Sequence, residues 1–472
     1  MFNKIPIEKG VYKTKDTDTT INTSFCENLI NIFIDSAGGN YDRPCLASFS
    51  ELLSTETIGI SYFDGVFVCV TQNRKVYSVT NAGVVTDITG DTLAGTDIPT
   101  FTYDDNNLYI AGGSTPLKWA GIGNTTATLG GSPPEISHIV YLDGYLIGNV
   151  RNVSGNKSIR FCDFNTPETW TGTNIFSANA APDEVQGLAV SQRELYVVGE
   201  VTTEVWQNIG AFPIPFERTF IWQFGTIAPY SIISADNSVF LLDQDRRFLR
   251  FAGREFVRIS EGIEEEIAKY TTVSDAIGCW FYYNASVHVA WIFPTEGKMW
   301  SMDTRNQNWT EWRSYNNEWI RPKVGALWYS KELKKTLVGD FSTAVVYTLD
   351  DTVKTDAGLT FVRQRTFSSR DGGASIKKQA NLLRFFLKRG VASEYTGTES
   401  ETNPILEVRW QDDGKFWSNW RQISLGEKNN LKKYADIKRL GIFRSRKYEF
   451  RFTDPSPLSI SSVETDEEAL TE

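Results

Sequence analysis

Histidine, the residue type that most often serves in acid–base catalysis and metal binding, is nearly absent from this chain of 472 residues. Its two histidines, His138 and His288, are 150 positions apart, and both lie in apolar, strand-like stretches. A histidine base or a histidine metal site is therefore poorly supported. No GxxxxGK[ST], GxGxxG, GxSxG or HExxH pattern occurs, so the common phosphate-loop, dinucleotide, nucleophile-elbow and zinc-protease signatures are missing. We predict no catalytic residue, no cofactor and no metal site.

Carboxylates are numerous, so composition alone does not exclude a glycosidase pair. Three of them, Glu264 to Glu266, lie in a predicted helix of one to three turns over Ser260–Tyr270. Ser260 is the candidate N-cap, and the acids complement the helix dipole. Successive helical residues point in different directions, so the three acids cannot all face one substrate. We interpret them as a solvated face.

The stretch Asp412–Trp417 contains the pattern D-x-G-x-x-W. It resembles the Asp-box turn of sialidase-like propellers, in which the aspartate orders a hairpin and the tryptophan packs beneath it. The usual Ser or Thr two places before the first aspartate is Trp410 here. An aspartate in such a turn binds backbone amides, so this motif predicts structure and no chemistry.

The net charge of −10 is unevenly distributed. Residues Phe361–Pro455 contain 20 Lys and Arg against 11 Asp and Glu, whereas Met1–Thr360 contains 28 against 42. Five further acids fall in Glu464–Glu472. This asymmetry favours two modules with different partners. The basic residues that could meet phosphate or an acidic protein surface are Arg363, Arg365, Arg370, Lys377, Lys378, Arg384, Lys388, Arg389, Lys432, Lys433, Lys438, Arg439, Arg444, Arg446 and Lys447.

The five cysteines and the length of the apolar stretches indicate the cellular compartment. The cysteines are far apart and form no CxxC pair, which predicts free, mostly buried thiols in a reducing compartment. Met1–Pro6 has no apolar h-region, and no stretch approaches the roughly 20 apolar residues that span a bilayer. We expect synthesis in the cytoplasm, with no membrane segment.

The strands that would position any functional site occur in a recurring unit. An apolar, β-rich strand is followed by a polar turn and by a second strand with aromatic residues. Such units without helical periodicity are typical of the blades of a β-propeller, a scaffold for binding surfaces. The fold class predicted is all-β, with a propeller of about six to eight blades followed by a C-terminal β-sandwich-like module. The units occur at Gly65–Val79, Asn107–Ala120, Asp143–Phe164, Glu194–Gln207, Asn237–Phe251, Val287–Trp312 and Lys334–Leu349.

Four segments are expected along the chain. Residues 1–55 form an N-terminal arm with a closing strand, which either completes the last blade or reaches a neighbouring subunit. Residues 56–358 form the propeller. Residues 359–460 form the basic C-terminal β module, in which Tyr448, Phe450 and Phe452 share one face of a strand. Residues 461–472 form an acidic tail.

Several stretches together, in this order, resemble one known family, the packaged-DNA-stabilisation or tail-accessory proteins (tail hub or nozzle) of P22-like short-tailed bacteriophages. The resemblance covers about Asn28 to Pro455. The stretches are Gly199–Trp206, Phe212–Arg218, Phe240–Asp243, Val257–Ser260, Trp300–Asp303, Asn308–Trp312, Val338–Asp340, Tyr347–Asp350, Leu406–Ser418, Arg439–Gly441 and Phe452–Pro455.

The resemblance implies a structural protein of the virion tail, assembled in the host cytoplasm, with no catalysis. It implies a hexameric ring below the portal and its adaptor, next to the tail needle, tailspike or tail fibre. Such a ring retains the packaged genome and guides double-stranded DNA during ejection. Because unlike charges steer association, we further predict that the basic module docks through Lys432, Lys433, Lys438 and Arg439.

The sequence is also compatible with a second function. The chain could be a carbohydrate-active propeller, either a tail-borne glycosidase or a glycan-binding lectin. That function needs exposed tryptophans and paired carboxylates at the mouth of the propeller. The candidate tryptophans are Trp300, Trp309 and Trp312, and core packing is the expected role of at least two of them.

Overall fold

The structure is a computed structural model and describes residues 2–13, 25–151, 157–371, 376–388, 402–427 and 434–470. Five strands precede the first blade and are shared between the two parts of the molecule described below. They are β1 (Phe2–Ile5), β2 (Cys26–Ile30), β3 (Ile32–Ile34), β4 (Asn40–Asp42) and β5 (Cys45–Glu51).

The described residues form seven antiparallel four-stranded units, and in the first six of them neighbouring strands pair in sequence order. Blade 1 contains β6 (Thr57–Phe63), β7 (Val66–Thr71), β8 (Val76–Val79) and β9 (Val85–Asp87). Blade 2 contains β10 (Thr100–Tyr103), β11 (Leu108–Ala111), β12 (Leu117–Trp119) and β13 (Ala127–Thr128). Blade 3 contains β14 (Ile136–Leu142), β15 (Tyr145–Val150), β16 (Ser158–Phe161) and β17 (Ile175–Ser177). Blade 4 contains β18 (Val185–Ser191), β19 (Glu194–Gly199), β20 (Thr203–Asn208) and β21 (Phe216–Trp222).

Blade 5 contains β22 (Ile233–Ala235), β23 (Ser238–Leu242), β24 (Phe248–Ala252) and β25 (Glu255–Arg258). Blade 6 contains β26 (Ile277–Tyr283), β27 (Ser286–Phe293), β28 (Lys298–Asp303) and β29 (Trp309–Trp312). The hairpin of β30 (Ser314–Asn316) and β31 (Glu318–Ile320) then leads to blade 7. Blade 7 contains β32 (Ala326–Ser330), β33 (Lys335–Gly339) and β34 (Val345–Asp350), and its fourth strand is β5 from the N-terminal segment.

The seven units are arranged radially, because one cavity is lined by the first strand of every blade. The first strand of blade 7 also contacts the first strand of blade 1, which closes the circle. The predicted all-β propeller is therefore confirmed, and it has seven blades. Strand β7 is buried at all of its positions, as its unbroken apolar run indicates.

Two-residue turns with a favourable backbone geometry join the first two strands of several blades. Asp64 and Gly65 have φ of 48° and 80°, and Asn284 and Ala285 have φ of 47° and 59°. Positive φ at both central residues is the type I′ geometry, whose twist matches that of the flanking strands.

The helix predicted over Ser260–Tyr270 is shorter than expected, a single turn α1 (Glu264–Ile267), and a 3-10 turn covers Pro229–Ser231. The predicted cap is wrong, because the N-cap position is Ile263 and no side chain caps the turn. The Ser260 hydroxyl instead donates to the Glu264 carboxylate.

The C-terminal residues form a sandwich that is joined to blade 6. Two short strands, β35 (Thr355–Asp356) and β36 (Leu359–Thr360), lead into it. The outer strand of blade 6, β29, pairs with β2, and β2 pairs with the first strand of the sandwich. Blade 6 and one layer of the sandwich therefore form a single nine-stranded sheet. The remaining strands are β37 (Arg363–Phe367), β38 (Lys378–Leu387), β39 (Ile405–Asp412), β40 (Arg421–Ser424), β41 (Tyr434–Phe443), β42 (Arg446–Phe452) and β43 (Ser459–Ala469).

A second sheet, ordered β3-β4-β43-β38-β41 with β1 beside β43, packs on this extension. The rings of Phe385 and Phe450 meet edge to face across the two sheets at 5.9 Å. Tyr448, Phe450 and Phe452 are all buried in this core, as their alternation predicts. The sequence predicts an acidic tail over residues 461–472, whereas residues up to Ala469 belong to β43, which is paired on both sides.

Three buried arginines join the N-terminal segment to the sandwich and the propeller. Arg43 forms an ion pair of 2.8 Å with Asp356, and both side chains are fully buried. Arg363 forms an ion pair of 3.5 Å with Asp42, and Arg365 donates to the carbonyl of Ile7. Because a guanidinium carries five donors in a fixed planar fork, one arginine can bind several carbonyls from separate segments.

Candidate functional site

The propeller encloses an axial cavity of about 630 Å³. Side chains from all seven inner strands line it, and most of them are apolar. An apolar cavity of this size with few polar groups is typical of a binding site for an apolar group. Representative lining residues, one from each inner strand, are Ile60, Phe101, Ile139, Leu188, Ile233, Ile277 and Leu327.

Tyr230, in the 3-10 turn before β22, lines the cavity at the start of the inner strands. Its ring stacks on His138 with 5.0 Å between the ring centroids. The His138 Nε2 atom lies 3.2 Å from the carbonyl oxygen of Pro229. Burial, and then the charge of Asp97, raise the pKa of the Tyr230 hydroxyl. This part of the cavity wall is therefore formed by two stacked, neutral rings.

The other end opens at the turns that follow the inner strands. A second cavity, of about 560 Å³, adjoins the first and shares Val190, Ser234 and Trp280 with it. At this mouth the Tyr329 ring lies 5.6 Å from Trp280 and 5.9 Å from Tyr282. The exposed fractions are 45% for Tyr282 and 55% for Tyr103 on the opposite side. The mouth is therefore a partly exposed aromatic rim around an apolar channel.

Neither histidine stands in a catalytic arrangement. His288 is stacked between Phe33 and Phe281, at 4.6 Å and 5.1 Å between centroids. The nearby Ser286 hydroxyl donates to the Asp303 carboxylate and not to the imidazole. Neither ring nitrogen of His288 has a hydrogen-bond partner. A serine–histidine–aspartate relay needs the histidine between the other two groups, and this geometry lacks that order.

Burial lowers the pKa of His138 and of His288 from 6.5 to about 4. Well above pH 6.5 both rings are neutral in the folded and the unfolded chain, so they cause no pH dependence there. Below pH 6.5 the unfolded chain binds the protons first, so stability falls as the pH drops towards 4. We expect each histidine to cost about 2 kcal/mol at pH 5 relative to pH 7.

The variant His288→Phe isolates this effect, because a phenyl ring fits the same aromatic stack and does not titrate. Urea unfolding at pH 7 and pH 5 should show a smaller loss of stability in the variant than in the unchanged chain. Equal losses in the two proteins would show that His288 is not buried as a neutral ring.

The other candidate groups have structural roles. Trp300, Trp309 and Trp312 are all buried, so the expectation of core packing is confirmed and a glycan platform made of these three is wrong. The acids of α1 are not a freely solvated face, because Glu264 pairs with Arg258 and Glu266 with Lys269. In the part of the chain that the structure describes, no three His, Cys, Asp or Glu side chains are grouped to hold a metal ion.

The five cysteines are buried free thiols. Burial raises the pKa of the Cys69 and Cys279 thiols to about 12, which keeps them protonated and unreactive near neutral pH. Within the described ranges, no helix has the length and apolar character needed to cross a bilayer.

The structure divides the basic residues of the C-terminal module into two groups. Arg363, Arg365 and Arg446 are buried, so their proposed contact with a partner surface is wrong. Lys438 and Arg439 are exposed on β41, while Lys432 and Lys433 lie outside the described residues. Several of the other basic side chains are paired with acids, which lowers the excess charge that the module presents: Arg384 with Asp436, Arg409 with Glu449, Lys447 with Glu27 and Arg451 with Glu407.

The D-x-G-x-x-W turn has a structural role, but its bonds differ from the prediction: the motif aspartate, Asp412, binds a guanidinium, and the backbone amides are bound by Asp413 and belong to a neighbouring turn. The Asp413 Oδ1 atom accepts from the amides of Arg444 and Ser445, at 2.8 Å and 2.9 Å. Asp412 binds the Arg446 guanidinium through both of its oxygens. These bonds fix a projection whose tip, Phe416, is 96% exposed.

The aromatic mouth was not identified from the sequence. A signal for it exists, since an aromatic residue recurs near the end of the first strand in five of the seven blades. These residues are Tyr62, Tyr103, Tyr141, Tyr282 and Tyr329. Aromatic residues are also common in blade cores, so sequence alone does not separate the two positions.

Comparison with known proteins places the chain in a family context. It matches the model of a family described as phage stabilise, bacteriophage P22 Gp10, β-propeller, over residues 3–354. That range spans the N-terminal strands and all seven blades and ends before the C-terminal sheets. No curated protein matches the chain. Among solved structures it is similar to the WD40 β-propeller domain of Doa1, with 11% identity, a TM-score of 0.41, and coverage of 65% of this chain and 97% of that one.

Proposed function

Because the chain belongs to the bacteriophage P22 Gp10 β-propeller family, a family of structural phage proteins, we propose that it is a tail component of a short-tailed phage. In this proposal six copies form a ring below the portal and its adaptor. The ring retains the packaged DNA, extends the ejection channel and contacts the needle, tailspike or fibre components. The family match over residues 3–354 is the observation that carries the proposal.

The DNA path in this proposal runs along the axis of the ring, between the copies. The axial cavity of one propeller is unsuited to DNA, because apolar side chains line it and its volume is only about 630 Å³. The acidic excess of Met1–Thr360, 42 acids against 28 basic residues, supports a ring lumen that repels phosphate. DNA would then slide past the propellers without binding tightly.

The C-terminal module is the proposed docking element, which contacts a neighbouring copy or the adaptor. Lys438 and Arg439 are exposed, as this role requires, and Lys432 and Lys433 complete the proposed set. Unlike charges on the propeller and the module would steer the copies into one orientation.

Removing the chain from the phage that encodes it tests the proposal. We expect particles that package DNA normally and then lose it, because the channel below the portal is left open. The measurement is the DNA content of purified particles, with the unchanged chain supplied in trans as the control. Particles that lack the chain and keep full genomes would contradict the proposal.

A glycan-binding lectin remains a second candidate, because partly exposed tyrosine and tryptophan rings surround the channel mouth. Aromatic rings can stack on sugar faces. Binding of the purified chain to host polysaccharide separates this candidate from a ring component.

A further inference from the structure

Two side chains of the N-terminal segment, Lys13 and Asn28, are in direct contact. The Lys13 Nζ atom donates to the Asn28 Oδ1 atom at 2.5 Å, and both residues are only partly exposed. An amine and a carboxamide together contain all the atoms of a new amide bond, and ammonia is the only product that leaves. The two residues are therefore a candidate for a covalent crosslink within the chain.

The backbone holds the two segments that carry these residues side by side. Val11 and Cys26 form a parallel bridge, and the Tyr12 amide donates to the Cys26 carbonyl at 2.9 Å. Lys13 and Asn28 lie two residues further along their segments, so they continue the same register. Because the fold places both reacting groups in advance, most of the entropy cost of bringing them together is already met.

The Asn28 carboxamide is oriented by a second contact. Its Nδ2 atom donates to the Thr366 hydroxyl at 3.4 Å, and Thr366 lies opposite Asn28 in the pairing of β2 with β37. The Thr366 hydroxyl in turn donates to the Glu449 carboxylate at 2.6 Å. The carbonyl side of the carboxamide therefore faces Lys13, and the nitrogen that would leave faces Thr366.

The surroundings of Lys13 favour a reactive amine. Burial lowers the pKa of Lys13, although the negative charges of Glu311 and Glu266 act in the opposite direction. A lysine with a lowered pKa has a larger fraction of neutral, nucleophilic amine. When the nitrogen attacks and becomes positively charged, the same two carboxylates stabilise that charge.

We propose that Lys13 and Asn28 form an intramolecular isopeptide bond in the folded chain. The Lys13 Nζ atom attacks the Asn28 Cγ atom, and the new N–C bond replaces the bond between Cγ and Nδ2. Starting from the ammonium form of Lys13, two hydrogens pass to the departing NH2 group, which leaves as an ammonium ion. No oxidant or further reactant is needed. The bond ties the N-terminal segment to β2, the strand that joins blade 6 to the sandwich, and it does not depend on the proposed ring.

Mass spectrometry of the denatured full chain tests this bond. We expect a mass lower than that of the sequence by one ammonia, and a protease digest in which Lys13 and Asn28 lie in one branched peptide. The variants Lys13→Arg and Asn28→Ala should each have the full mass, because the first lacks the amine and the second lacks the carboxamide. The matched control Lys9→Arg should still lose ammonia, since Lys9 is an exposed lysine of the same segment.

Two outcomes would overturn the proposal. If the unchanged chain has its full sequence mass, with Lys13 and Asn28 in separate peptides, the contact is an ordinary hydrogen bond. If ammonia is also lost from Lys13→Arg, the asparagine reacts with another group and not with this lysine. A variant that fails to fold does not affect the result, because the mass and the digest of the unchanged chain decide it.

Discussion

Replacing Arg43 with methionine is expected to destabilise the chain by about 3 to 5 kcal/mol. The substitution leaves the Asp356 carboxylate fully buried without the guanidinium that now lies 2.8 Å away. Arg43 also donates to Asn31 Oδ1, and its guanidinium lies over the Trp312 ring at 4.3 Å. One residue therefore links the N-terminal segment, blade 6 and the strands that lead into the sandwich. Urea unfolding at pH 7 measures the effect.

The double variant Arg43→Met, Asp356→Asn is the control for this prediction. The amide oxygen at position 356 can accept from the Leu46 amide, and the amide nitrogen can donate to the Ser314 hydroxyl oxygen, at the two places where the carboxylate oxygens now bind these groups. Because no charge is left buried, the double variant should be more stable than the single one. If Arg43→Met alone unfolds at the same urea concentration as the unchanged chain, the buried pair does not hold the parts together.

A proline in β5 is expected to open the propeller and to cost about 2 to 4 kcal/mol. This strand completes blade 7, with Ala47 opposite Thr348 and Ser48 opposite Tyr347. In an antiparallel pair alternate residues donate to a given neighbour, so one of Ala47→Pro and Ser48→Pro removes a bond to β34 and the other does not. The expected result is one strongly and one weakly destabilised variant, together with faster proteolysis of blade 7 in the former.

The two proline variants are controls for each other, because their side chains and positions are nearly the same. Two variants as stable as the unchanged chain would show that blade 7 does not need β5. That outcome would show that the N-terminal strand β5 is not needed to close the propeller.

The blade strands could be predicted because their signal is local. The unbroken apolar run in β7 and the alternation of Tyr448, Phe450 and Phe452 indicate strands directly. The acidic residues of β43 could not be assigned in this way, because their alternation with small polar residues is typical of a solvated tail. The strand forms because β38 and β1 supply partners on both sides, and such long-range pairing leaves no local pattern.

The exposure of the basic residues in the C-terminal module and the position of the channel mouth were harder to predict, since burial depends on the whole fold. The basic count of the C-terminal module includes Arg363, Arg365 and Arg446, which the fold encloses. The channel mouth is made by seven strands that are far apart in the chain, so no single stretch indicates it. The sequence shows which residues are aromatic, but only the radial arrangement of the blades shows which of them face the channel.

An electron-microscopy reconstruction of the intact phage tail tests the central proposal most directly. The proposal predicts symmetric copies of a seven-bladed propeller around an open axis, directly below the portal and its adaptor. It also predicts that the sandwich of each copy touches the propeller of its neighbour. A particle in which the propeller is absent, lies away from the tail axis, or surrounds no channel would contradict it.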